Sequence, residues 1–325
     1  MRKISYAAAI VEALRQSMAE DPRVSLVGSY VLGLGPKRVL MDQIRAEFPD
    51  RIFDPPTSEA AIVSLGAGAA MAGARPFVDI GTASFTYVAW SPLVNEAAVA
   101  CYMSGGSQRV PVVYHMLHGL RGGGAAQHSH SPQAMLWNAA GLELVLPSSP
   151  YDVKGLIRSA IKSDNPTLVV NHARLMDIEG DVPVDDYEIQ LGRGDIKRRG
   201  RDATVIATSF IVQTALSAAE QLAKEGIETE VVDPRTLVPL DRELILDSVK
   251  RTGRLVVADE TNLSCGIASE LSAIVAEHGF KSLRAPILRV TRPDIPTPFS
   301  KPLEDAITPT AERICAAVRQ VVAWK

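Results

Sequence analysis

The sequence predicts an α/β protein with two domains, each built on a parallel sheet. Three observations indicate this class. The chain has 325 residues, enough for about two domains at roughly 150 residues each. Short, almost wholly apolar segments alternate with segments of helical periodicity, a pattern typical of parallel sheets covered by helices on both faces. This alternation is interrupted once, at 176–202, by a stretch rich in acidic and basic side chains.

The first domain is predicted over residues 1–175. Its first helix follows from apolar positions at Ala7, Ile10, Leu14 and Met18, and Asp21-Pro22 ends it. Apolar runs then predict strands at 24–27, 77–80, 110–114, 142–146 and 167–171. Helical periodicity between them predicts helices at 39–48, 58–74, 92–102, 132–139 and 151–161.

The polar stretch at 176–202 is predicted to be a linker, and the second domain is predicted over 203–325. The same alternation resumes there. It predicts strands at 204–208, 228–232, 255–258 and 287–290, and helices at 212–225, 241–250, 267–277 and 311–322.

Composition argues against two classes of function. Lys and Arg total 34 and Asp and Glu total 37, so the formal net charge of −3 argues against a nucleic-acid-binding protein. The sequence has no uncharged apolar run of about 18 residues, so we expect no membrane span. Cys101, Cys265 and Cys315 lie far apart and fit no C-x-x-C spacing, which favours free thiols and a cytoplasmic location.

The glycine-rich loops do not indicate a nucleotide site. Gly33-Leu34-Gly35 begins like a dinucleotide-binding motif, but Arg38 stands where the third glycine belongs. The sequence also contains no P-loop pattern. We interpret Gly33–Gly35 as a turn.

One glycine-rich loop, 115–130, holds four of the six histidines. A histidine beside such a loop can move protons near neutral pH. His115-x-x-His118 and His128-x-His130 could instead bind a transition metal, although no cysteine or carboxylate completes the ligand set. Ordinary solvated loop histidines are the third interpretation.

Glu59 is a second candidate for proton chemistry. Ser58 is suited to cap the helix predicted at 58–74, and the helix dipole favours a carboxylate in its first turn, so a structural role alone would explain Glu59. Small and apolar residues follow it, which predicts a helix packed on all sides. A partly desolvated carboxylate at the start of such a helix would suit proton exchange with a bound heterocycle.

Five motifs, in order and spacing, resemble one family. They are FDPPTSEAAIV at 53–63, YMSGG at 102–106, AQHS at 126–129, PYDVKGLI at 150–157 and RTLVPLD at 235–241. The chain resembles the β subunit of the thiamine-diphosphate-dependent first component of 2-oxo acid dehydrogenase complexes, of the pyruvate, branched-chain 2-oxo acid or acetoin type. The resemblance extends from about Ser5 to the C-terminus.

The resemblance implies a thiamine-diphosphate pyrimidine-binding fold followed by a transketolase C-terminal-like domain. It implies an α subunit, an α2β2 heterotetramer and a lipoyl acyltransferase component that receives the acyl group. Thiamine diphosphate would be shared with the α subunit, which supplies the magnesium site. This chain lacks the Gly-Asp-Gly and Asn-Asn motif that holds magnesium in the family.

The resemblance also assigns individual residues. Glu59 would contact the pyrimidine ring, Phe85 would stack on it, and His128 would act in decarboxylation and acyl transfer. A core phenylalanine after a strand is the alternative interpretation of Phe85. In some family members a potassium ion is held by backbone carbonyls at the positions of Val112, Ala160, Ile161, Ser163 and Asn165.

The chain departs from the family pattern at two places. Ser29 and Tyr30 stand where two acidic residues are usual, and His115-Met116-Leu117 replaces Arg-Gly-Pro. The first change affects a proton path between the two active sites of some family members. The second removes an arginine that could hold an anionic substrate. The function implied is oxidative decarboxylation of a small 2-oxo acid, or acetoin cleavage, with acyl transfer to lipoamide. The alternatives are a split transketolase-like ketol transferase subunit and a non-catalytic assembly subunit.

Overall fold

The computed structural model describes residues 1–28 and 35–324. Ser29 and Tyr30, whose effect on a proton path is in question, lie outside the described residues. The chain divides into two compact units, one of Met1–His118 with Met135–Leu191, the other of Gly119–Ala134 with Gly192–Lys325. The linker predicted at 176–202 stays a prediction, and this segment includes two strands.

Within the described residues there are fourteen strands. They are β1 Arg2–Ser5, β2 Val24–Val27, β3 Ile52–Phe53, β4 Arg75–Thr82, β5 Val113–His118, β6 Glu143–Val145, β7 Thr167–His172, β8 Glu179–Val182, β9 Asp195–Arg198, β10 Ala203–Ala207, β11 Thr229–Asp233, β12 Thr236–Val238, β13 Leu255–Asn262 and β14 Leu288–Arg292.

The same residues form twelve α-helices. They are α1 Tyr6–Glu20, α2 Asp42–Glu47, α3 Glu59–Met71, α4 Ala100–Met103, α5 Ala125–His128, α6 Gln133–Trp137, α7 Pro150–Lys162, α8 Phe210–Ala223, α9 Arg242–Thr252, α10 Ile267–His278, α11 Lys301–Ile307 and α12 Ala311–Val322. Short 3-10 helices lie at Gly35–Met41, Pro49–Arg51, Ala83–Tyr87, Ala173–Leu175 and Phe280–Ser282, and a π-helix at Pro92–Ala97.

The first unit is built on a parallel sheet. Six of its strands lie in the order β6-β7-β5-β4-β2-β3, and each neighbouring pair is parallel. β7 is buried along its whole length. α3 comes close to β4 because Gly66 has no side chain, and a Cβ there would lie 2.5 Å from Val78 Cγ2. β1 and β8 form a separate antiparallel pair.

The second unit has a five-stranded sheet in the order β14-β13-β10-β11-β9. All neighbours are parallel except β9, which runs antiparallel beside β11 at the edge. Buried side chains of β10, β11 and β13 form one apolar core with those of α8 and α12. The predicted α/β class with two parallel sheets is confirmed.

Local chemistry fixes several helix ends. The Ser149 hydroxyl accepts the N–H of Asp152 at 3.1 Å, and Pro150 occupies the first position of α7. Asp241 accepts the N–H of Leu244 at 3.0 Å at the start of α9. Gly253, with φ of 73°, ends that helix in the left-handed conformation that glycine adopts most readily.

The strand predicted at 110–114 is displaced along the chain. β5 runs from Val113 to His118, so its second half is made of residues that the apolar pattern had left in a loop. Pro111 cannot donate to a ladder, and Val113 is the first residue to pair with Phe77 of β4. In the part of the chain that the structure describes, no helix is both long and apolar enough to cross a bilayer.

Candidate active site

The carboxyl edge of the first sheet carries two residues that the sequence analysis singled out. β3 ends at Phe53, and a short loop leads to α3, which begins at Glu59. β4 ends at Thr82 and continues into the 3-10 helix that contains Phe85. β3, β2 and β4 are adjacent and parallel, so their carboxyl ends share one edge of the sheet. Such edges are where α/β sheets bind ligands.

Glu59 lies in the first turn of α3 and is partly buried. Ser58 has the extended backbone of an N-cap residue, but its side chain makes no capping hydrogen bond, so that prediction is wrong. Among the described residues, the Glu59 carboxylate has no hydrogen-bond or ion-pair partner. A partly buried carboxylate at the positive end of a helix can therefore accept a hydrogen bond from a ligand.

Phe85 is partly buried, between the buried residues Ser84 and Thr86. The turn that presents it is held by Thr86, whose hydroxyl donates to the Ala83 carbonyl at 2.6 Å. The Phe85 carbonyl accepts the N–H of Val88 at 3.1 Å. The ring is thus on an ordered turn and is not sealed in the core, although its stacking role stays a prediction.

The prediction that α3 is packed on all sides is wrong for this chain alone. Ala61, Leu65 and Gly68 are exposed, and the exposed fraction of Leu65 is 47%. The opposite face is buried through Ile62 and Val63. An exposed face of small and apolar side chains is typical of a surface that another protein covers.

The histidines of 115–130 do not come together within either unit. His115 and His118 lie on β5, three positions apart, so their side chains project from opposite faces of the strand. His115 is fully buried and its Nδ1 lies 3.3 Å from an oxygen of buried Asp79, and the ring of His118 lies edge-on to His172. His115 therefore belongs to the buried core around β5.

His128 and His130 belong to the second unit and differ in burial. His128 ends α5 and is exposed. Burial lowers the pKa of His130, and the positive charge of Arg292 lowers it further, so its imidazole stays neutral near pH 7. Exposure makes His128 the histidine of this pair that an external reactant can reach.

The residues predicted to bind potassium lie near the amino-terminal ends of β5 and β7. Their carbonyl oxygens already accept hydrogen bonds: Val112 from the Thr167 N–H at 2.9 Å, Ala160 from the Ser163 N–H at 3.2 Å, Ile161 and Ser163 from Arg75 Nη1 at 3.0 and 2.8 Å, and Asn165 from Thr167 Oγ1 at 3.3 Å. Arg75 also pairs with Asp164 at 2.6 Å. Arg75 thus brings a positive charge to two of the five carbonyls, and potassium binding by the set stays a prediction.

Three buried charged residues of the second unit were not predicted from the sequence. Glu260, Arg292 and Glu304 bond to backbone groups of the segment that carries His128. Glu304 lies on α11, a helix that the sequence analysis did not predict. Ser300 as N-cap with Pro302 just inside the helix is the signal that could have found it.

Comparisons with known families agree with this architecture. Residues 2–177 match the family described as "Transketolase, pyrimidine binding domain". Residues 192–314 match "Transketolase, C-terminal domain". The two matched segments together account for most of the chain.

Individual relatives match over nearly their whole length. The chain is 40% identical to the acetoin:2,6-dichlorophenolindophenol oxidoreductase subunit beta of Cupriavidus necator, over 99% of this chain and 98% of that protein. It is 38% identical to the 2-oxoisovalerate dehydrogenase subunit beta of Bacillus subtilis, over 99% of each. A solved structure described as "Split gene transketolase, inactive beta4 tetramer" matches with a TM-score of 0.81, over 99% of both chains, at 24% identity. At that identity the likeness shows the fold alone.

Proposed function

Since this chain belongs to the family of 2-oxo acid dehydrogenase β subunits, with transketolase pyrimidine-binding and C-terminal domains, we propose that it supplies half of an active site. The reaction is oxidative decarboxylation of a small 2-oxo acid, or cleavage of acetoin, with transfer of the acyl group to lipoamide. The observation that carries the proposal is the partly buried Glu59 carboxylate, which has no partner among the described residues.

Thiamine diphosphate is the proposed cofactor, and two residues of this chain fit its pyrimidine ring. Glu59 offers a carboxylate that can share a proton with a ring nitrogen. Phe85 offers an aromatic face at the same edge of the sheet. When bound, the cofactor supplies the electron sink that decarboxylation of a 2-oxo acid requires. The diphosphate and its magnesium would be held by the α subunit, because this chain lacks the corresponding motif.

His128 is the proposed proton donor and acceptor for the later acyl transfer. Its exposure lets a lipoyl group reach it from outside the chain. An imidazole can serve as a general acid or base in such a transfer. His115, by contrast, is buried beside Asp79 and takes no part in the proposed reaction.

The proposed complex is an α2β2 heterotetramer that delivers its product to a lipoyl acyltransferase. The exposed apolar residues Leu65, Val88, Tyr102 and Met103 support a protein partner for the first unit. We also propose a cytoplasmic location, which the three free cysteines support. For potassium, we propose that the ion binds at the predicted carbonyls only when Arg75 leaves them.

The test compares Glu59→Gln with a matched control in the complete complex. The chain is copurified with its α subunit, and thiamine diphosphate binding and lipoamide-dependent turnover are measured with pyruvate, 2-oxoisovalerate and acetoin. Glu59→Gln keeps the size of the side chain but removes its charge. We expect kcat to fall about 10²- to 10⁴-fold, the range for loss of a positioned acid or base.

Glu243→Gln is the control, since Glu243 is also a first-turn glutamate, on α9, but is exposed. We expect this variant to keep wild-type turnover. Unchanged turnover in Glu59→Gln would remove Glu59 from the reaction and favour the non-catalytic assembly subunit. Turnover of sugar phosphates without lipoamide would instead favour the split transketolase-like ketol transferase.

A further inference from the structure

The loop that carries His128 is bonded to three elements of the second unit. Gly119 N–H and the His130 carbonyl, 3.4 Å apart, close the loop. The Leu120 N–H donates to Glu260 Oε1 on β13 at 2.7 Å. Arg292 Nη1, at the end of β14, donates to the Ser129 carbonyl at 3.1 Å. The third element is α11, through Glu304.

The strongest of these attachments is the two-point contact of Glu304. The Gly122 N–H donates to Glu304 Oε1 at 2.7 Å, and the Gly123 N–H donates to Oε2 at 3.0 Å. Both glycines have positive φ, 79° and 112°, which glycine adopts readily, and their successive N–H groups point to the same carboxylate. Successive N–H groups arranged in this way form an anion-binding concavity, and the chain fills this one with its own carboxylate.

The carboxylates that bond to this loop are buried. The exposed fraction of Glu304 is only 5%, and that of Glu260 is 2%. Arg121 lies close enough to be attracted to both carboxylates, although burial lowers the pKa of its guanidinium. A buried carboxylate is tolerated when it is hydrogen-bonded and faces a positive charge, and Glu304 meets both conditions.

The contact lies directly before the turn that presents His128. α5 begins at Ala125, two residues after Gly123, and ends at His128. Glu304 therefore fixes the chain just before α5, and Arg292 fixes it just after, at Ser129. Neither residue needs to touch a substrate to determine where the imidazole lies.

Resting on the proposed function, we propose that Glu304 is a positioning residue for His128. By filling the Gly122-Gly123 concavity, its carboxylate holds the loop in the conformation from which His128 serves acyl transfer. Without this carboxylate, the Gly122 and Gly123 N–H groups would hydrogen-bond to water, and the loop would adopt many conformations. Decarboxylation at the cofactor would then continue, but His128 would seldom be in the position that acyl transfer requires.

The experiment uses the full chain in complex with its α subunit and compares Glu304→Gln and Glu304→Ala with Asp305→Asn. Glutamine keeps the shape of the side chain, and its amide oxygen can accept one N–H group. Its NH2 group is a donor and cannot accept the other N–H group. Asp305 is the matched control, because it is the next residue on α11, is exposed and pairs with Lys301. Hydrogen–deuterium exchange of 119–124 and steady-state kinetics with lipoamide are measured on each.

We expect exchange at Gly122 and Gly123 to become at least about tenfold faster in Glu304→Ala, because both N–H groups lose their acceptor. In Glu304→Gln we expect this at one of the two, whose acceptor oxygen is replaced by NH2. We expect kcat for acyl transfer to fall about 10- to 100-fold through misplacement of the histidine. KM for the 2-oxo acid and binding of thiamine diphosphate should stay within about twofold of wild type. Asp305→Asn should match wild type in every measurement.

Faster exchange with wild-type kcat would overturn the proposal, since Glu304 would then be merely structural. A lower kcat with unchanged exchange would overturn it as well, because the loop contact would not be the cause. Failure of the wild-type complex to bind thiamine diphosphate would count against the proposed function instead. The exchange measurement needs no cofactor, so the two failures are distinguishable.

Discussion

The two units differ in how they use glutamate carboxylates. In the first unit, Glu59 is partly buried, and its carboxylate has no partner among the described residues. In the second unit, Glu260 and Glu304 are buried, and their carboxylates accept backbone N–H groups of one loop. The same chemical group is thus open to a ligand in one unit and fixes the polypeptide in the other.

The partners of a carboxylate, more than its residue type, therefore indicate its role. All three residues are glutamates: Glu59 begins α3, Glu260 lies near the carboxyl end of β13, and Glu304 lies within α11. A carboxylate that is satisfied by the chain's own amides has little capacity left for a substrate. One without such partners can exchange a proton with a bound molecule.

The largest effect we expect from this comparison is on stability. Glu304→Ala removes the carboxylate that accepts the Gly122 and Gly123 N–H groups, which should lower the free energy of unfolding by about 1.5–3 kcal/mol, the range for hydrogen bonds to charged groups. Glu59→Ala removes a side chain with no such bonds and should change it by less than about 0.5 kcal/mol. Urea denaturation of the two variants beside wild type measures both values. Equal losses of stability would contradict the difference in role between Glu304 and Glu59.

A smaller effect on stability is expected in the first unit at Arg75, the first residue of β4, whose guanidinium is hydrogen-bonded and ion-paired. Arg75→Met frees the carbonyls of Ile161 and Ser163, and leaves Asp164 to attract a cation. We expect potassium to stabilise this variant by about 1.4 kcal/mol at ten times its dissociation constant, and to have no such effect on wild type.

Melting temperatures in potassium chloride and in choline chloride at equal ionic strength measure that difference. The second salt controls for screening, which affects both proteins alike. A wild-type chain stabilised by potassium to the same extent would show that the ion binds beside Arg75. A variant indifferent to potassium would remove the carbonyl site altogether.

The smallest effect concerns pH and His130. Burial and Arg292 lower the pKa of His130 in the folded chain below its ordinary value of 6.5. The unfolded chain therefore binds more protons, so stability should decline as pH falls below about 6.5 and recover as pH rises. We expect the pH dependence of the melting temperature between pH 7.5 and 5.5 to be shallower in His130→Gln. Parallel curves would contradict this.

Local sequence patterns predicted most of the regular structure. The helix predicted at 311–322 is α12, and the strand predicted at 24–27 is β2, with the same boundaries. α12 has a strong apolar periodicity and β2 is a short, mostly apolar run, and both patterns depend only on neighbouring residues. β8 and β9 fall in the stretch predicted as a linker, because polar edge strands lack an apolar run.

Contacts distant in sequence could not be predicted in this way. Glu59 was found because a motif and a helix start coincide at one place. Glu304 was not, since its partner Gly122 is 182 positions away and nothing local records that pairing. The exposed face of α3 was also missed, because an apolar sequence indicates burial without telling which molecule provides it.

The role of Glu59 can be tested by solving the structure of this chain assembled with its α subunit and thiamine diphosphate. We expect a Glu59 carboxylate oxygen about 2.6–3.2 Å from a nitrogen of the pyrimidine ring, within hydrogen-bond reach. A pyrimidine bound elsewhere, with the Glu59 carboxylate in contact only with water, would contradict it.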